Sequence, residues 1–335
     1  IYTYNISKRK ERQLTRNGSE SILNGHFGWV YEEEFGSYDA YRWSPDSKNI
    51  VVAAKAGKSD VLHFIDIETN KSKKYELGLD GVFSAAWSPN GSDIAFVGQD
   101  GESSDIYIFN MDNEQKRKIT DDIFSDSYPS WNKEGTEIAF VSDRGSFISG
   151  DFDGEIYNHD YGQTDIYIVN ANDRDIKRIT ETKYNESHPV WANTEEALLY
   201  TADYNGVWNL FLHPLENIDS LSSISDNIIQ YPITNVLTGL QQPTISRDDN
   251  SLIFAGYSGI GWDLYSLNPP LTLKKKVVSP TQFHMSDKLD LEDIVDLRRH
   301  KSNNRVYQND EVSVYFKIHL MEGTSPPWGV GADDI

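Results

Sequence analysis

The chain has 335 residues, with 52 Asp and Glu against 31 Lys and Arg, for a formal net charge of −21. A field of that sign repels phosphate backbones and argues against a nucleic-acid partner, while suiting solubility, a cation or a partner with a basic face. There are no cysteines, so disulfides, thiolate metal sites and cysteine nucleophiles are excluded. No apolar run reaches the length of a membrane-spanning helix. The sequence begins at Ile1 within a repeat and is read as a mature or truncated piece, so the lack of a visible signal peptide carries no information.

In chain order, Ile1–Gly18 reads as a half unit holding only two strands. Five fuller units follow, starting near residues 38, 81, 123, 183 and 237. Their first strands end in Tyr41-Arg-Trp-Ser-Pro, Ala86-Trp-Ser-Pro, Ser130-Trp-Asn-Lys and Val190-Trp-Ala-Asn, with Thr244-Ile-Ser-Arg in the fifth. The spacing is stricter than the identities. Trp43 to His63, Trp87 to Tyr107, Trp191 to Phe211 and Ile245 to Tyr265 are each 20 positions. Trp131 to Tyr167 is 36, and the excess of 16 is a Gly-rich polar insertion around 145–163.

Each unit reads as four strands. The first ends at the Trp and is followed by a turn such as Ser88-Pro89-Asn90-Gly91. The second is an apolar run such as Ile94–Val97. The third alternates, as in Asp105–Asn110 and Asp165–Asn170. The fourth is the short tail at 117–120 or 177–180, which ends in Ile-Thr. Units of roughly forty residues with four strands are the pattern of a β-propeller. The expected fold is therefore all-β, with four-stranded antiparallel blades over residues 1–276. Six blades are the first expectation, with seven or eight as alternatives. Each Trp is expected to pack between blades. The segment 277–335 is expected to close the ring or link to a further domain, with a helix-like stretch at Leu289–Arg299 and a strand-like stretch at Glu311–His319.

The pattern Trp-Ser-Pro-Asp/Asn-Gly…Ile-Ala-Phe…Asp-Ile-Tyr…Ile-Thr, from residue 38 to about 276, resembles the repeat of TolB-like propellers. That resemblance implies a bacterial, periplasmic or otherwise extracytoplasmic, non-enzymatic scaffold that binds protein partners. Residues 19–45 include Trp29-Val-Tyr-Glu-Glu-Glu-Phe and Tyr41-Arg-Trp-Ser-Pro. This segment is similar to the propeller of dipeptidyl peptidase IV and its relatives. The resemblance implies that Glu33 and Glu34 hold the free amino terminus of a peptide by charge-assisted hydrogen bonds.

The hydrolase half of such peptidases has no counterpart here. The nearest string to a Gly-x-Ser-x-Gly elbow, Gly256-Tyr-Ser-Gly-Ile260, has Ile in place of the second Gly and falls where the other repeats have a hairpin turn. No catalytic constellation is expected.

Asp126, Tyr128, Glu186, His188 and Gln242 lie near the start of first strands and are candidates to line a polar channel, with ordinary loop polarity as the competing reading. The insertion carries Asp151, Asp153, Glu155, His159 and Asp160, with Asp143 just before it. Asp143, Asp151 and Asp153 are candidate Ca²⁺ ligands, against the reading of a solvated acidic loop. No other cofactor is expected. His63 falls in an aromatic position of its repeat and is expected to pack in the core. Three functions compete: a scaffold binding a protein or peptide, the substrate-gating propeller of a dipeptidyl-peptidase-like hydrolase, and a module of an outer-membrane-associated assembly.

Overall fold

The computed structural model describes residues 2–5, 8–14, 41–56, 59–101, 103–148, 159–204, 206–215, 231–258 and 261–273, and two strands at Arg305–Asn309 and Val312–Phe316. The chain forms two compact units, Ile1–Val278 and Ser279–Ile335. In the second, the two strands pair as an antiparallel hairpin, so the strand-like stretch is a strand. The helix-like stretch lies outside the described residues.

In the first unit a short pair, β1 (Tyr2–Asn5) and β2 (Lys10–Gln13), precedes the blades. Four antiparallel four-stranded sheets then follow in strict chain order. They are β3–β6 (Tyr41–Trp43, Asn49–Ala56, Ser59–Asp66, Ser72–Glu76) and β7–β10 (Gly81–Trp87, Asp93–Asp100, Ser103–Asn110, Gln115–Lys118). Next come β11–β14 (Asp126–Trp131, Glu137–Ser142, Asp165–Asn170, Ile176–Arg178) and β15–β18 (Glu186–Trp191, Ala197–Ala202, Asn209–Pro214, Tyr231–Pro232). The fifth sheet is β19–β21 (Leu240–Ile245, Leu252–Ser258, Gly261–Leu267).

Among the described residues this makes five blades rather than the expected six, and the fifth has three strands rather than four. After β21 comes Asn268-Pro269-Pro270, and two successive prolines cannot donate to a sheet ladder. Gly256-Tyr257-Ser258 runs into the β20–β21 hairpin, where Ser258 pairs with Gly261.

The repeat spacing translates directly into register. Trp43, Trp87, Trp131, Trp191 and Ile245 close the five first strands and face Ile50, Ile94, Ile138, Leu198 and Leu252. Nine positions after the Trp, the second strand places an aromatic opposite the third-strand aromatic. The rings of Phe96–Tyr107, Phe140–Tyr167, Tyr200–Phe211 and Phe254–Tyr265 lie 5.5, 5.7, 6.0 and 5.8 Å apart. Such a pair adds about 0.5–1.5 kcal/mol beyond its area burial. In the first blade the same positions hold Val52 and His63, so His63 is buried in the aromatic slot as expected. Burial, helped by the nearby Lys74 ammonium, pushes its imidazole down to about pKa 4, so it stays neutral.

Neighbouring blades are joined by the Trp side chains. Trp131 donates its indole N–H to the carbonyl of Ala86 at 3.2 Å, and Trp191 donates to Ser130 at 2.9 Å. Ala86 and Ser130 are the residues just before the Trp of the preceding blade. An innermost strand has a partner on one side only, so part of its backbone lacks a ladder bond, and the next blade's indole supplies one. Trp43 is 47% exposed, because among the described residues no full blade precedes it to receive the indole.

Trp191→Phe keeps the ring but strands the Ser130 carbonyl. It should lower the unfolding free energy by about 1–3 kcal/mol. Trp43→Phe should cost clearly less, and paired urea titrations of the two variants measure the difference.

Candidate functional site

The first strands carry a repeated irregularity. In four consecutive blades the ladder slips between the residues four and one positions before the closing residue, at Phe83/Ala86, Ser127/Ser130, Ser187/Val190 and Gln241/Thr244. At each slip one non-glycine residue takes a left-handed backbone: Ser84 (φ 47°), Tyr128 (53°), His188 (51°) and Gln242 (54°). Holding such a residue there costs on the order of 1–3 kcal/mol, and this strain recurs where a bulge re-aims a side chain. In the last three the following residue is proline, which disfavours the helical region for its predecessor and withholds its own N–H from the ladder.

Three of the sequence-predicted channel residues, Tyr128, His188 and Gln242, are therefore structurally equivalent. The bulges bring two of them together across a blade boundary, with the Tyr128 and His188 rings 4.2 Å apart at an interplanar angle of 35°. His188 is mostly buried, and Tyr128 and Gln242 are partly exposed.

Asp126 and Glu186 belong elsewhere. Both are 1% exposed and sit inside the blade junctions, not on an open polar surface. Both stand two residues upstream of their bulges, and Glu186 meets Asp165, which opens the third strand of the preceding blade. The threonine that ends each Ile-Thr tail organises this junction. Thr120, Thr180 and Thr234 accept the backbone N–H of Ile106, Ile166 and Leu210 at 2.8, 2.8 and 2.9 Å. The threonine therefore acts as a side-chain cap just beyond the fourth strand. Thr180 also donates to Glu186 at 3.3 Å, and Thr182 donates to the same carboxyl at 2.6 Å.

The two junctions neutralise their acids differently. Asp126 receives a bidentate pair from Arg144 at 2.7 and 2.9 Å, and Arg144 also donates to Asp122 at 2.9 Å. The guanidinium is buried among Phe124, Phe140 and Tyr167, with ring centroids 5.2–5.9 Å away. Burial still pushes Asp126 up to about 6 against the pull of that cation. Thirteen positions after Trp131 stands Arg144, and thirteen after Trp191 stands Tyr204. Glu186 thus has no equivalent arginine. Burial drives its pKa well above the ordinary range, and the neighbouring Asp165 carboxylate pushes it the same way. Asp165 is held in turn by Arg178 at 2.7 Å.

Asp143, a candidate calcium ligand, accepts from the backbone N–H of Ser125 at 2.8 Å, with His159 at 3.4 Å. The equivalent Asp203 accepts from Asn185 N–H at 2.9 Å, so this aspartate position pins the start of the first strand in consecutive blades. Asp151, Asp153, Glu33 and Glu34 lie outside the described residues. Among the described residues no group of three or more His, Asp or Glu is placed to hold a metal ion. No helix there is long and apolar enough to cross a membrane. The residues that sequence reading missed are Arg144, Thr120 and Thr180. The threonines had a signal, a hydroxyl at the end of every recognisable Ile-Thr tail.

Residues 40–148 match the TolB beta propeller domain. Over that stretch the sequence is similar to TolB-like propellers. Residues 1–61 match the dipeptidyl peptidase IV (DPP IV) N-terminal region. A stretch of 66 residues, 19% of the chain, is 38% identical to dipeptidyl aminopeptidase B of Saccharomyces cerevisiae and spans 8% of that protein's length. Among solved structures, a protein assigned as TolB from Agrobacterium tumefaciens superposes with a TM-score of 0.57 at 16% identity, covering 79% of this chain and 83% of that one. TolB from Acinetobacter baumannii gives 0.50 at 16% identity, over 84% and 65%. The tricorn protease gives 0.51 at 14% identity, over 79% of this chain and 27% of that one. At these identities the shared property is the fold.

The Glu186 junction has a pH signature. A carboxyl whose folded pKa is raised contributes its stability fully below the unfolded value of about 4.3 and loses it as pH rises through the folded pKa. Glu186→Gln should therefore match the parent protein near pH 4 and become progressively more stable than it on the alkaline side, as read from urea midpoints across pH. A difference independent of pH would contradict the raised pKa of Glu186.

Proposed function

We propose that this TolB-like propeller is a non-catalytic scaffold that holds a protein or peptide partner at the inner face of its blades, in an extracytoplasmic, periplasmic bacterial setting. The supporting observation is the row of strained bulge residues. Four equivalent non-glycine positions hold a costly backbone, and their side chains differ from blade to blade (Ser84, Tyr128, His188, Gln242). A purely structural repeat would favour glycine there; Ser84 and His188 are buried, and the partly exposed Tyr128 and Gln242 suit recognition of a ligand. The TolB-like fold and the −21 charge agree with a partner that presents a basic surface.

A second reading has its own observation. The match to the dipeptidyl peptidase IV N-terminal region covers residues 1–61 and so includes Glu33 and Glu34. On this reading the chain is the substrate-gating propeller of a serine hydrolase whose catalytic domain is not in this sequence, and the two glutamates clamp a peptide amino terminus.

Calorimetric titration with a free-amine peptide and its N-acetylated twin tests the clamp. The free-amine form should bind more tightly, and Glu33→Gln with Glu34→Gln should weaken it by about tenfold or more, the worth of a lost charge-assisted pair. The purified chain should release no nitroaniline from a dipeptidyl-nitroanilide. Turnover would overturn the non-catalytic reading, and equal affinity of both peptides would remove the clamp.

A further inference from the structure

The turn from third to fourth strand is built alike in four successive units. Asn5, Asp66, Asn110 and Asn170 each accept, on Oδ1, the backbone N–H three residues on, at 2.7, 2.7, 3.1 and 3.3 Å. The next residue is left-handed each time: Arg9 (φ 48°), Asn70 (57°), Glu114 (57°) and Arg174 (66°). β1–β2 is therefore the outer half of a blade, and β2 is the counterpart of the outer strands β6, β10 and β14. Arg12 of β2 ties this half blade to the first blade, donating to the Glu68 carbonyl at 3.0 Å and to Asn70 Oδ1 at 3.2 Å.

These four outer strands are all basic, but their cations are used differently. In β10, Lys116 donates to the Leu77 carbonyl, Arg117 to that of Ala171 at 2.6 Å, and Lys118 pairs with Asp105 and Asp121. In β14, Arg178 pairs with Asp165 and Glu181. On the half blade and the first blade, Lys73 pairs with Glu114 at 2.8 Å and Arg12 bridges the two units. Lys8, Arg9, Lys10, Lys71 and Lys74 are exposed, and none has an ion-pair partner among the described residues. Residues 8–12 and 68–76 hold seven cations against three carboxylates, Glu11, Glu68 and Glu76. This is a basic corner on a chain with a net charge of −21.

We infer that this corner docks the propeller on an anionic lipid surface, with Lys8, Arg9, Lys10, Lys71 and Lys74 as the contacts. The way the cations are held selects the occupant. Arg144 shows how this fold fixes a guanidinium fork, between two carboxylates and three rings. The corner cations have no such support and lie at the outer rim of two adjacent units, where they attract charge without fixing its direction. That suits the laterally mobile headgroups of a bilayer better than one carboxylate or phosphate in a set geometry. The acidic remainder does not forbid the approach, because beyond a Debye length of about 10 Å its repulsion is largely screened. The inference is independent of the partner-binding reading and of the amino-terminus clamp.

Co-sedimentation of the intact chain with vesicles tests it. One set is pure phosphatidylcholine and the other contains about one-third phosphatidylglycerol, an anionic lipid. At about 0.05 M salt the chain should pellet with the anionic vesicles and not with the neutral ones, and about 0.5 M salt should release it. The variant Lys8→Gln, Lys10→Gln, Lys71→Gln, Lys74→Gln should lose about tenfold or more in vesicle affinity. A second variant removes equal charge elsewhere, at the exposed Lys133, Arg174, Lys177 and Lys183, each to Gln, and should bind like the parent. All eight positions are exposed, and an unchanged thermal melt certifies the fold of each variant. The proposal falls if the parent ignores anionic vesicles, if the corner variant binds as well as the parent, or if both variants lose affinity alike. A glutamate-rich peptide followed by anisotropy covers the other anionic occupant. Corner-dependent binding of that peptide without binding of vesicles would assign the corner to an acidic protein segment and overturn the lipid reading.

Discussion

A blade of four strands has two apolar faces and cannot bury either alone, so the fold depends on what fixes one blade against the next. Apolar packing supplies most of the free energy but is non-directional and would tolerate sliding. Direction comes at two junctions from the indole N–H groups of Trp131 and Trp191, each reaching the carbonyl just before the previous Trp in the preceding inner strand. The bond is short in sequence logic, Trp to residue-before-Trp, and it therefore propagates the same rotation from blade to blade. Trp87 shows the packing half of this arrangement, with its ring edge-on to Phe64 of the first blade at 5.5 Å.

A second latch, at the start of the inner strands, buries charge. It carries the same geometry at two successive junctions with different chemistry. Where Arg144 is present, Asp126 meets a cation cradled by three rings. Where Tyr204 replaces it, burial raises the Glu186 pKa, and Thr180 and Thr182 donate to its carboxyl. Both solutions satisfy the requirement that a buried carboxyl be paired or neutral. The junction between the first two blades manages with less, since Val82 of the second blade stands at the equivalent position and its N–H goes to Asp60 of the first at 3.2 Å. The latch is thus a geometric slot that tolerates substitution as long as its hydrogen-bond count closes.

The blade frame was legible because it is periodic. Trp spacing, the turn residues, the Asp that opens third strands and the aromatic twenty positions on all recur, and each recurrence maps to one register position. His63 could be placed in the core by that count alone. Channel residues were half legible for a physical reason. Asp126 and Tyr128 are two residues apart and look alike as polar loop-adjacent positions, yet the bulge between β11 and its partner sends one inward and the other to the strand's edge. A bulge has no reliable sequence signal except the Pro that follows three of the four, and Ser84 lacks even that. Arg144 was invisible because its partners lie 18 and 22 residues away, and nothing local marks a guanidinium as buried.

The irregularities are informative because the frame is so regular. Each blade repeats about forty residues under tight constraints, so deviations tolerated by the frame are free to differ between blades. The bulge residues and the third-blade insertion are two of the places where neighbouring units diverge, beside the junctions of Asp126 and Glu186. In the bulge row the divergence is in side-chain identity at fixed backbone; in the insertion it is in chain length at fixed strand pairing. Stability accounts for neither. The strained bulge residues cost free energy on the order of a kcal/mol or more each, and β12 and β13 pair in register without need of the insertion. Features that a fold carries at a loss are the ones a partner is expected to compensate, and both sit on a propeller whose blades need neither.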